Sequence, residues 1–319
     1  MLIKDAKTMR WGDFEITLFA PFVKHNYFPD NAEIGNLIDS AAVIESGGLV
    51  AFNANDNTPD RLASGRIKDR FGNIDLLMHN YNSAGPYPAC FNNLTHTQKV
   101  QEHEANLVRN LEYMYANVQQ MQPTYTLPFA GSYALGGRLH YKNEYLGTTT
   151  WDGCASYLNA KKQLSTQMIC LRENDIFDIA SGQSNKDYVP LDVAEMERYI
   201  FDELSRIVYE YETDDAPVMT LLEQDLATAR KQMKVRAERV GITPDSDVAL
   251  DILGERFPLV SVQYPKCEVI CSMDLRLLRR ILDRKSHWNN AEIGCHIEFT
   301  REPNHYSPDT HTMLQFLHL

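Results

Sequence analysis

The sequence has no run of apolar residues long enough to cross a bilayer, and its first residues contain no apolar signal core. Clusters of lysine and arginine are also missing, and the 319-residue chain has a formal net charge of −12. Binding to the phosphate backbone of nucleic acids requires clustered positive charge. We therefore expect a cytoplasmic protein that binds no membrane and whose main partner is not a nucleic acid.

Close groups of metal-binding residues are scarce as well. The six cysteines are scattered along the chain, and only Cys267 and Cys271 lie near each other. A structural zinc site would need a second pair or well-spaced histidines. Because both cysteines fall in an apolar run that predicts a strand, we interpret them as buried free thiols. No motif for a nucleotide cofactor is evident either.

What the sequence does contain is a series of strand patterns that end in polar loops. Residues 40–45 and 49–52 are rich in β-forming residues and are joined by Gly47-Gly48, which predicts a hairpin. The second run stops at the polar residues 53–60, which we expect to form a loop because they show no apolar alternation. A buried strand is predicted over residues 74–78, again followed by a polar loop. Loops at strand ends often hold reactive side chains on a rigid scaffold.

A long helical pattern comes next. Apolar residues recur at spacings of three and four over residues 94–121, which predicts an amphipathic helix that begins at a Thr95 or Thr97 cap. A short strand is predicted over residues 125–129, and another helix over residues 157–171. The pattern of a strand, a helix and a further strand is typical of an α/β protein.

The composition then changes in a way that suggests two domains. Residues 181–187 are rich in Gly, Ser and Asn and form the best linker candidate. We predict one domain over residues 1–180 and a smaller α+β domain over residues 188–319, with helices followed by strands. The second domain contains the block His-Trp-Asn-Asn-Ala-Glu-Ile-Gly at residues 287–294. Its polar side chains either bind a ligand beside the Trp ring or form a buried polar turn, and we favour the turn.

Several of these motifs, in this order, resemble those of the metallo-β-lactamase fold superfamily. The likeness is to the branch of CMP-N-acetylneuraminate hydroxylase and the ascorbate-phosphate lactonase type. The motifs are the hairpin that leads to Asp56, the Asn-Tyr-Asn-Ser-Ala-Gly-Pro-Tyr-Pro segment at residues 80–88, and Leu-Pro-Phe-Ala-Gly-Ser-Tyr at residues 127–133. The superfamily's His-x-His-x-Asp-His signature is absent from the chain. The resemblance implies the second half, or a degenerate form, of an αββα sandwich, followed by the α+β domain.

The resemblance also implies a metal site at the ends of the strands. Asp56 matches the aspartate that bridges the metals, and His25 or Asp39 falls near the place of a further ligand. The metal would be zinc or iron, which would lower the pKa of a bound water and polarise a carbonyl or phosphoryl oxygen. A loop histidine without a metal is an equally good interpretation of His25. The cysteine–histidine pairs of a Rieske cluster are absent, so this chain does not itself carry hydroxylase chemistry.

Catalytic and substrate-binding roles follow from the same resemblance. Asp56 and His79 would be the catalytic residues, although His79 equally suits a cap or a packing residue at the end of its strand. Asn57, Asn80 and Arg138 would orient the substrate, with Arg138 able to pair with an anionic group. For Arg138, which follows Gly136-Gly137, a simple turn is the alternative.

Two functions are compatible with these observations. In one, the chain is a subunit of a metal-dependent hydrolase whose missing metal loop is supplied by a partner chain. In the other, it is a catalytically silent binding or scaffold protein in a multi-subunit assembly. Half of a sandwich leaves one face of its sheet open, so both functions predict a protein partner or a homo-oligomer. The strands that would need cover on both faces contain Val43, Ile44, Val50, Phe52, Leu76 and Leu77.

Overall fold

The computed structural model describes residues 6–20, 22, 40–161 and 163–319 of the chain. Its strands are β1 (Thr8–Trp11), β2 (Phe14–Phe19), β3 (Ala41–Ser46), β4 (Leu49–Asn55), β5 (Leu76–His79), β6 (Tyr125–Pro128), β7 (Gln167–Met168), β8 (Phe177–Asp178), β9 (Gln183–Ser184), β10 (Asp247–Ile252), β11 (Glu255–Val260), β12 (Glu268–Ser272) and β13 (Glu298–Glu302). Its α-helices are α1 (Arg61–Phe71), α2 (His96–Met121), α3 (Trp151–Asn159), α4 (Val193–Asp202), α5 (Met219–Arg239), α6 (Leu275–Leu282), α7 (Trp288–Ile293) and α8 (Pro308–Leu314). In the described residues, no helix has the length and apolarity that a membrane crossing would need.

The N-terminal half is built on a seven-stranded sheet in which β1 to β7 lie side by side in chain order. Strands β1 to β4 are antiparallel, and β4 to β7 are parallel. The hairpin predicted at Gly47-Gly48 is confirmed, since β3 and β4 pair across it. Both glycines have positive φ angles, 59° and 80°, which the tight turn requires and which most side chains disfavour.

The structure differs from the sequence-based prediction in three places. The polar residues after Phe52 do not end β4, which continues to Asn55 because its backbone pairs with β5 past a bulge. Helix α1 was not predicted, yet parallel strands need a crossover connection, and α1 lies between β4 and β5. The helix predicted over residues 157–171 is wrong. Helix α3 starts earlier, at a Thr150 cap, and ends at Asn159, and the chain then adds β7 beside β6.

Helices cover one face of this sheet. Val43, Phe52 and Leu77 are fully buried on that face, within a core that α1, α2 and α3 complete. The remaining core residues are Ala41, Val50, Ala54, Ile67, Ile74, Tyr81, Leu111, Met114, Val118, Met121, Cys154 and Leu158. Strand residues alternate between the two faces, so Ile44 and Leu76 point the other way.

The opposite side of the sheet, here called the open face, is mostly apolar and has no charged residue from β1 to β6. Residues that pair across neighbouring strands lie on the same face of the sheet, and the pairing places these side chains on the open face: Met9, Trp11, Phe14, Ile16, Leu18, Ala42, Ile44, Ser46, Leu49, Ala51, Asn53, Leu76, Met78, Tyr125 and Leu127. None of them is fully buried, and Trp11 and Phe14 are 75% and 50% exposed. At one edge Phe177 packs on the Tyr125 ring with the centroids 4.9 Å apart.

The C-terminal half is a four-stranded sheet in the order β11-β10-β12-β13, with α5, α6 and α8 packed around it. Its core also takes in Cys90, Phe91 and Leu139, which precede the predicted linker. The rings of Phe91 and Phe299 stack with their centroids 5.2 Å apart, and the backbone of Phe91 bridges to β13. The two halves therefore share one of the two cores.

Candidate functional site

The structure brings together Asp56 and Asn80, two of the residues predicted for the site. Asp56 follows β4 directly and is exposed, and Asn80 follows β5. The Asn80 Nδ2 donates to Asp56 Oδ1 at 3.5 Å, the long end of the range for a hydrogen bond. This pair offers one carboxylate and one amide oxygen at the carboxyl end of the parallel strands.

Asn57 faces inward and holds a loop in place. It is 5% exposed, and its Oδ1 accepts a hydrogen bond from the Phe22 backbone N–H at 2.8 Å. Its Nδ2 donates to the Ala20 carbonyl at 3.0 Å and more weakly to that of Phe19 at 3.5 Å. The oxygen and the nitrogen of the amide are thus both bonded to backbone groups at the end of β2 and just after it.

His79 is fully buried at the end of β5. Its Nε2 accepts from Asn117 Nδ2 at 3.1 Å, and its Nδ1 lies 2.5 Å from the Asn80 carbonyl oxygen. Asn117 in turn accepts from Ser64 Oγ at 2.8 Å, so the network ties β5 to α1 and α2. Burial lowers the pKa of His79 to about 4, and the hydrogen bond to Asn80 opposes this with a smaller effect. The lowered pKa keeps the ring neutral.

Arg138 lies in a 3-10 helix that spans Gly137–Tyr145, and its contacts reach the C-terminal half. Its Nε donates to Glu212 Oε1 at 2.8 Å, and its Nη2 donates to the Tyr211 hydroxyl at 3.0 Å. Burial opposes the charge, but the bonds to Tyr211 and Glu212 outweigh it and raise the pKa of Arg138. The guanidinium therefore helps to join the two halves.

The predicted metal ligands His25 and Asp39 lie outside the described residues. Within the described ranges, no group of three His, Cys, Asp or Glu side chains is arranged to hold a metal ion. Asp56 and Asn80 alone are too few, since tight sites usually draw on three or four protein ligands. Cys267 and Cys271 are free and buried, as predicted.

A cavity of about 640 Å³ lies where the two halves meet, and the sequence-based site did not include it. We call it the junction cavity. It is lined by the loop after β5, by α2, α7 and α8, and by the end of β13: Ser83, Ala84, Gly85, Pro86, Tyr87, Phe91, Glu102, Asn106, Arg109, Asn289, Glu292, Ile293, Arg301, Asn304, Tyr306, His311, Thr312 and Gln315. Its size falls within the range of small-molecule sites.

A carboxylate–imidazole pair lies in the wall of this cavity. Glu292 Oε1 accepts from His311 Nδ1 at 2.8 Å, and Glu292 Oε2 accepts from the Trp288 indole N–H at 3.1 Å. Both Glu292 and His311 are more than nine-tenths buried. The His311 Nε2 is buried and has no hydrogen-bond partner in the described part of the protein. One nitrogen of the ring is therefore held in place by Glu292, while the other is buried without a partner among the described residues.

Sequence reasoning had a partial signal for this cavity. The block at residues 287–294 was read as either a ligand site or a buried turn, and it forms α7, with Trp288 buried and Asn289 and Glu292 on the cavity wall. Arg301 and His311 carried no signal of their own. They belong to β13 and α8, and only folding brings these elements to α7.

Comparison with known proteins gives a distant likeness in fold. No protein-family model and no curated protein sequence matches the chain. Among solved structures it is similar to the diiron β-hydroxylase CmlA from Streptomyces venezuelae, at 12% identity and a TM-score of 0.31, over 51% of this chain and 31% of that one. It is also similar to the metallo-β-lactamase fold protein YhfI from Bacillus subtilis, at 11% identity and a TM-score of 0.28, over 53% of this chain and 51% of that one. The chain thus spans about a third and a half of their respective lengths.

Proposed function

We propose that this chain is a catalytically silent relative of the metallo-β-lactamase fold proteins that binds another polypeptide on its open face. The observation that carries the proposal is the open face itself, which is uncharged from β1 to β6 and has no fully buried residue. Parallel strands are normally covered on both faces. A soluble protein rarely leaves a large apolar surface in contact with water. The bound polypeptide would complete the half-sandwich.

The charge of the chain favours a different polypeptide over a second copy. At a formal net charge of −12, two copies repel each other, and the open face offers no charge to offset this. A partner with an apolar sheet face of its own would pack about 10 Å away, as sheets in sandwiches do. Such an interface would be more apolar than a transient one.

The residues at the strand ends support a silent role. If the loop after β5 is aligned with the motif His-x-His-x-Asp-His, His79 takes the first position, and Tyr81, Ser83 and Ala84 take the places of His, Asp and His. The Tyr81 hydroxyl bonds Ser132 Oγ at 2.7 Å, and burial raises the pKa of Tyr81 to about 12. In this alignment the loop is present in the chain, but a buried tyrosine, an exposed serine and an exposed alanine stand where the motif has metal-binding residues.

Metal content separates this proposal from a metal-dependent hydrolase. We expect the purified chain to hold no stoichiometric zinc or iron, measured by elemental mass spectrometry after exposure to either metal and gel filtration. The variant Asp56→Ala should then match the wild type in residual metal. Stoichiometric metal that Asp56→Ala removes would contradict the proposal and would favour the hydrolase, with His25 or Asp39 as further ligands.

Partner binding is tested with a substitution on the open face and a matched one on the other face. Tagged wild-type chain expressed in its native cell should copurify with a partner at a fixed ratio, and Ile44→Asp should lose it because an unpaired charge would enter an apolar interface. Glu45→Gln, on the same strand but the opposite face, should retain it. Light scattering that gives a stable monomer without any partner would refute the proposal, and a twofold mass would identify a second copy as the occupant.

A further inference from the structure

We propose that the junction cavity is a binding site for a small organic anion, a carboxylate or a phosphate monoester, whose anionic group pairs with Arg301 and hydrogen-bonds to His311. This inference is independent of partner binding on the open face. It rests on a buried arginine and a buried imidazole nitrogen that lack an acidic partner and a hydrogen-bond partner, respectively, among the described residues, and on the cavity that both residues line together with α2.

Arg301 is the group that most clearly lacks a partner of opposite charge. It is 4% exposed and forms no ion pair with an acidic residue in the described ranges of the chain. Its Nε and Nη2 both donate to the same acceptor, Asn304 Oδ1, at 3.0 and 2.6 Å. Burial lowers the pKa of Arg301, which reflects the cost of keeping this charge away from water.

Aromatic rings hold the Arg301 guanidinium in the cavity wall but do not neutralise it. Its central carbon lies 4.5 Å from the centroid of the Phe91 ring and 5.4 Å from that of Tyr87. Contacts of this kind stabilise a cation by less than the burial of an ion costs. An oxyanion can accept two parallel hydrogen bonds from a guanidinium, so an anionic ligand would offset the remaining cost.

His311 supplies the second contact. Glu292 fixes its Nδ1, so the orientation of the ring does not depend on a ligand, and within the described ranges the buried Nε2 has no partner of its own. Because Nδ1–H donates to Glu292, Nε2 donates to an anionic oxygen as the N–H of the protonated ring, whose positive charge Glu292 balances. A ligand oxygen there would give a buried polar atom its hydrogen-bond partner. The Glu292 carboxylate is already bonded to Trp288 and His311, so it opposes an anion less than a free carboxylate would.

The rest of the lining suits a small polar molecule with an apolar part. The other acidic residue in the wall is Glu102, which interacts with the Tyr87 hydroxyl, while Arg109 adds a second positive charge. Amide groups surround the cavity at Asn106, Asn289, Asn304 and Gln315. Because α2 belongs to one half and α7 and α8 to the other, an occupant would contact both halves.

Calorimetric titration of the full chain with three probes tests the site: inorganic phosphate, phenyl phosphate and benzoate. We expect saturable binding of at least one probe, together with a rise in the melting temperature. Stronger binding of phenyl phosphate would assign the site to phosphate monoesters, and stronger binding of benzoate to carboxylates. Absence of saturable binding by all three at millimolar concentrations would overturn the inference.

Variants show whether the bound probe is in the junction cavity. Arg301→Gln and His311→Gln should each weaken binding about tenfold or more, because each removes a hydrogen bond to a charged group. Arg256→Gln, which changes an exposed arginine of β11 paired with Glu268, should leave the affinity unchanged. If Arg301→Gln does not fold by circular dichroism, the exposed Arg109→Gln replaces it and should also weaken binding. Unchanged affinity in the folded cavity variants would refute the site.

Discussion

At the level of single residues, the polar side chains at the ends of β4 and β5 show that the type of a residue does not define its role. Asp56 and Asn57 are neighbours in the sequence, yet Asp56 is exposed and Asn57 is buried and bonded at both ends of its amide. His79 has both ring nitrogens engaged by Asn117 and Asn80. Burial and hydrogen-bond partners, which the residue type does not reveal, show that the side chains of Asn57 and His79 bond to other parts of the protein.

The buried neutral state of His79 predicts a pH-dependent stability. Its folded pKa of about 4 lies below the ordinary 6.5, so between these values the folded protein binds fewer protons than the unfolded chain. The stability that neutral His79 contributes is therefore complete above pH 6.5 and is lost as the pH falls toward 4, by about 3 kcal/mol in all. Urea unfolding at neutral and acidic pH measures this loss, and His79→Gln should reduce it.

A second buried histidine limits the size of the effect. Burial also lowers the pKa of His296 to about 4, so part of the acid loss should persist in His79→Gln. Equal losses in wild type and His79→Gln would mean that His79 is not a buried neutral residue.

Among the elements, α2 was predicted best because its signals are local. Its apolar periodicity and its end at Met121 follow from the sequence, and the structure selects Thr95 as its cap. Thr95 Oγ1 accepts from the Gln98 backbone N–H at 3.3 Å, and Gln98 Oε1 accepts from the Thr95 N–H at 2.8 Å. These reciprocal bonds satisfy two groups that the helix end would otherwise leave unpaired.

The capping box gives a matched pair of substitutions. Thr95→Ala should lower the free energy of unfolding by about 1 kcal/mol, because the N3 amide loses its acceptor. Thr97→Ala, inside the helix and exposed, should change it little or raise it slightly, since Ala is the better helix former. Chemical unfolding monitored by circular dichroism distinguishes the two. The reverse order of effects would place the cap at Thr97.

For the molecule as one unit, the important feature is the core that both halves share. Cys90, Phe91 and Leu139 are buried among residues of the C-terminal sheet. Lys142 is 1% exposed, donates to the Cys295 carbonyl at 2.9 Å and forms an ion pair with Glu298. A fragment that starts after the predicted linker would lose these residues and expose the surface that they cover.

We therefore expect residues 188–319 expressed alone to aggregate or to lack fixed side-chain packing, measured as the loss of the near-ultraviolet circular dichroism signal. The intact chain should unfold in one transition. The chain has three tryptophans, Trp11 in β1, Trp151 in α3 and Trp288 in α7. In a Trp11→Phe background, Trp288→Phe leaves one reporter in the N-terminal half, and Trp151→Phe leaves one in the C-terminal half. Coincident transitions are expected in the two variants. A well-packed fragment, or two separate transitions, would show that the halves fold independently.

Local patterns in the sequence predict the Gly47-Gly48 hairpin, the strand after it and the helix α2, because turn chemistry, alternation and helical periodicity depend on neighbours along the chain. The structure places Asp56 and Asn80, two residues of the predicted strand-end site, in contact, and the role of that site stays a prediction. The junction cavity depends on residues more than two hundred positions apart, such as Tyr87 and Asn304, whose side chains bond at 3.1 Å. No spacing rule relates such positions. Packing of the two halves brings them together, and this is why Arg301 and His311 become recognisable as site residues only in the folded protein.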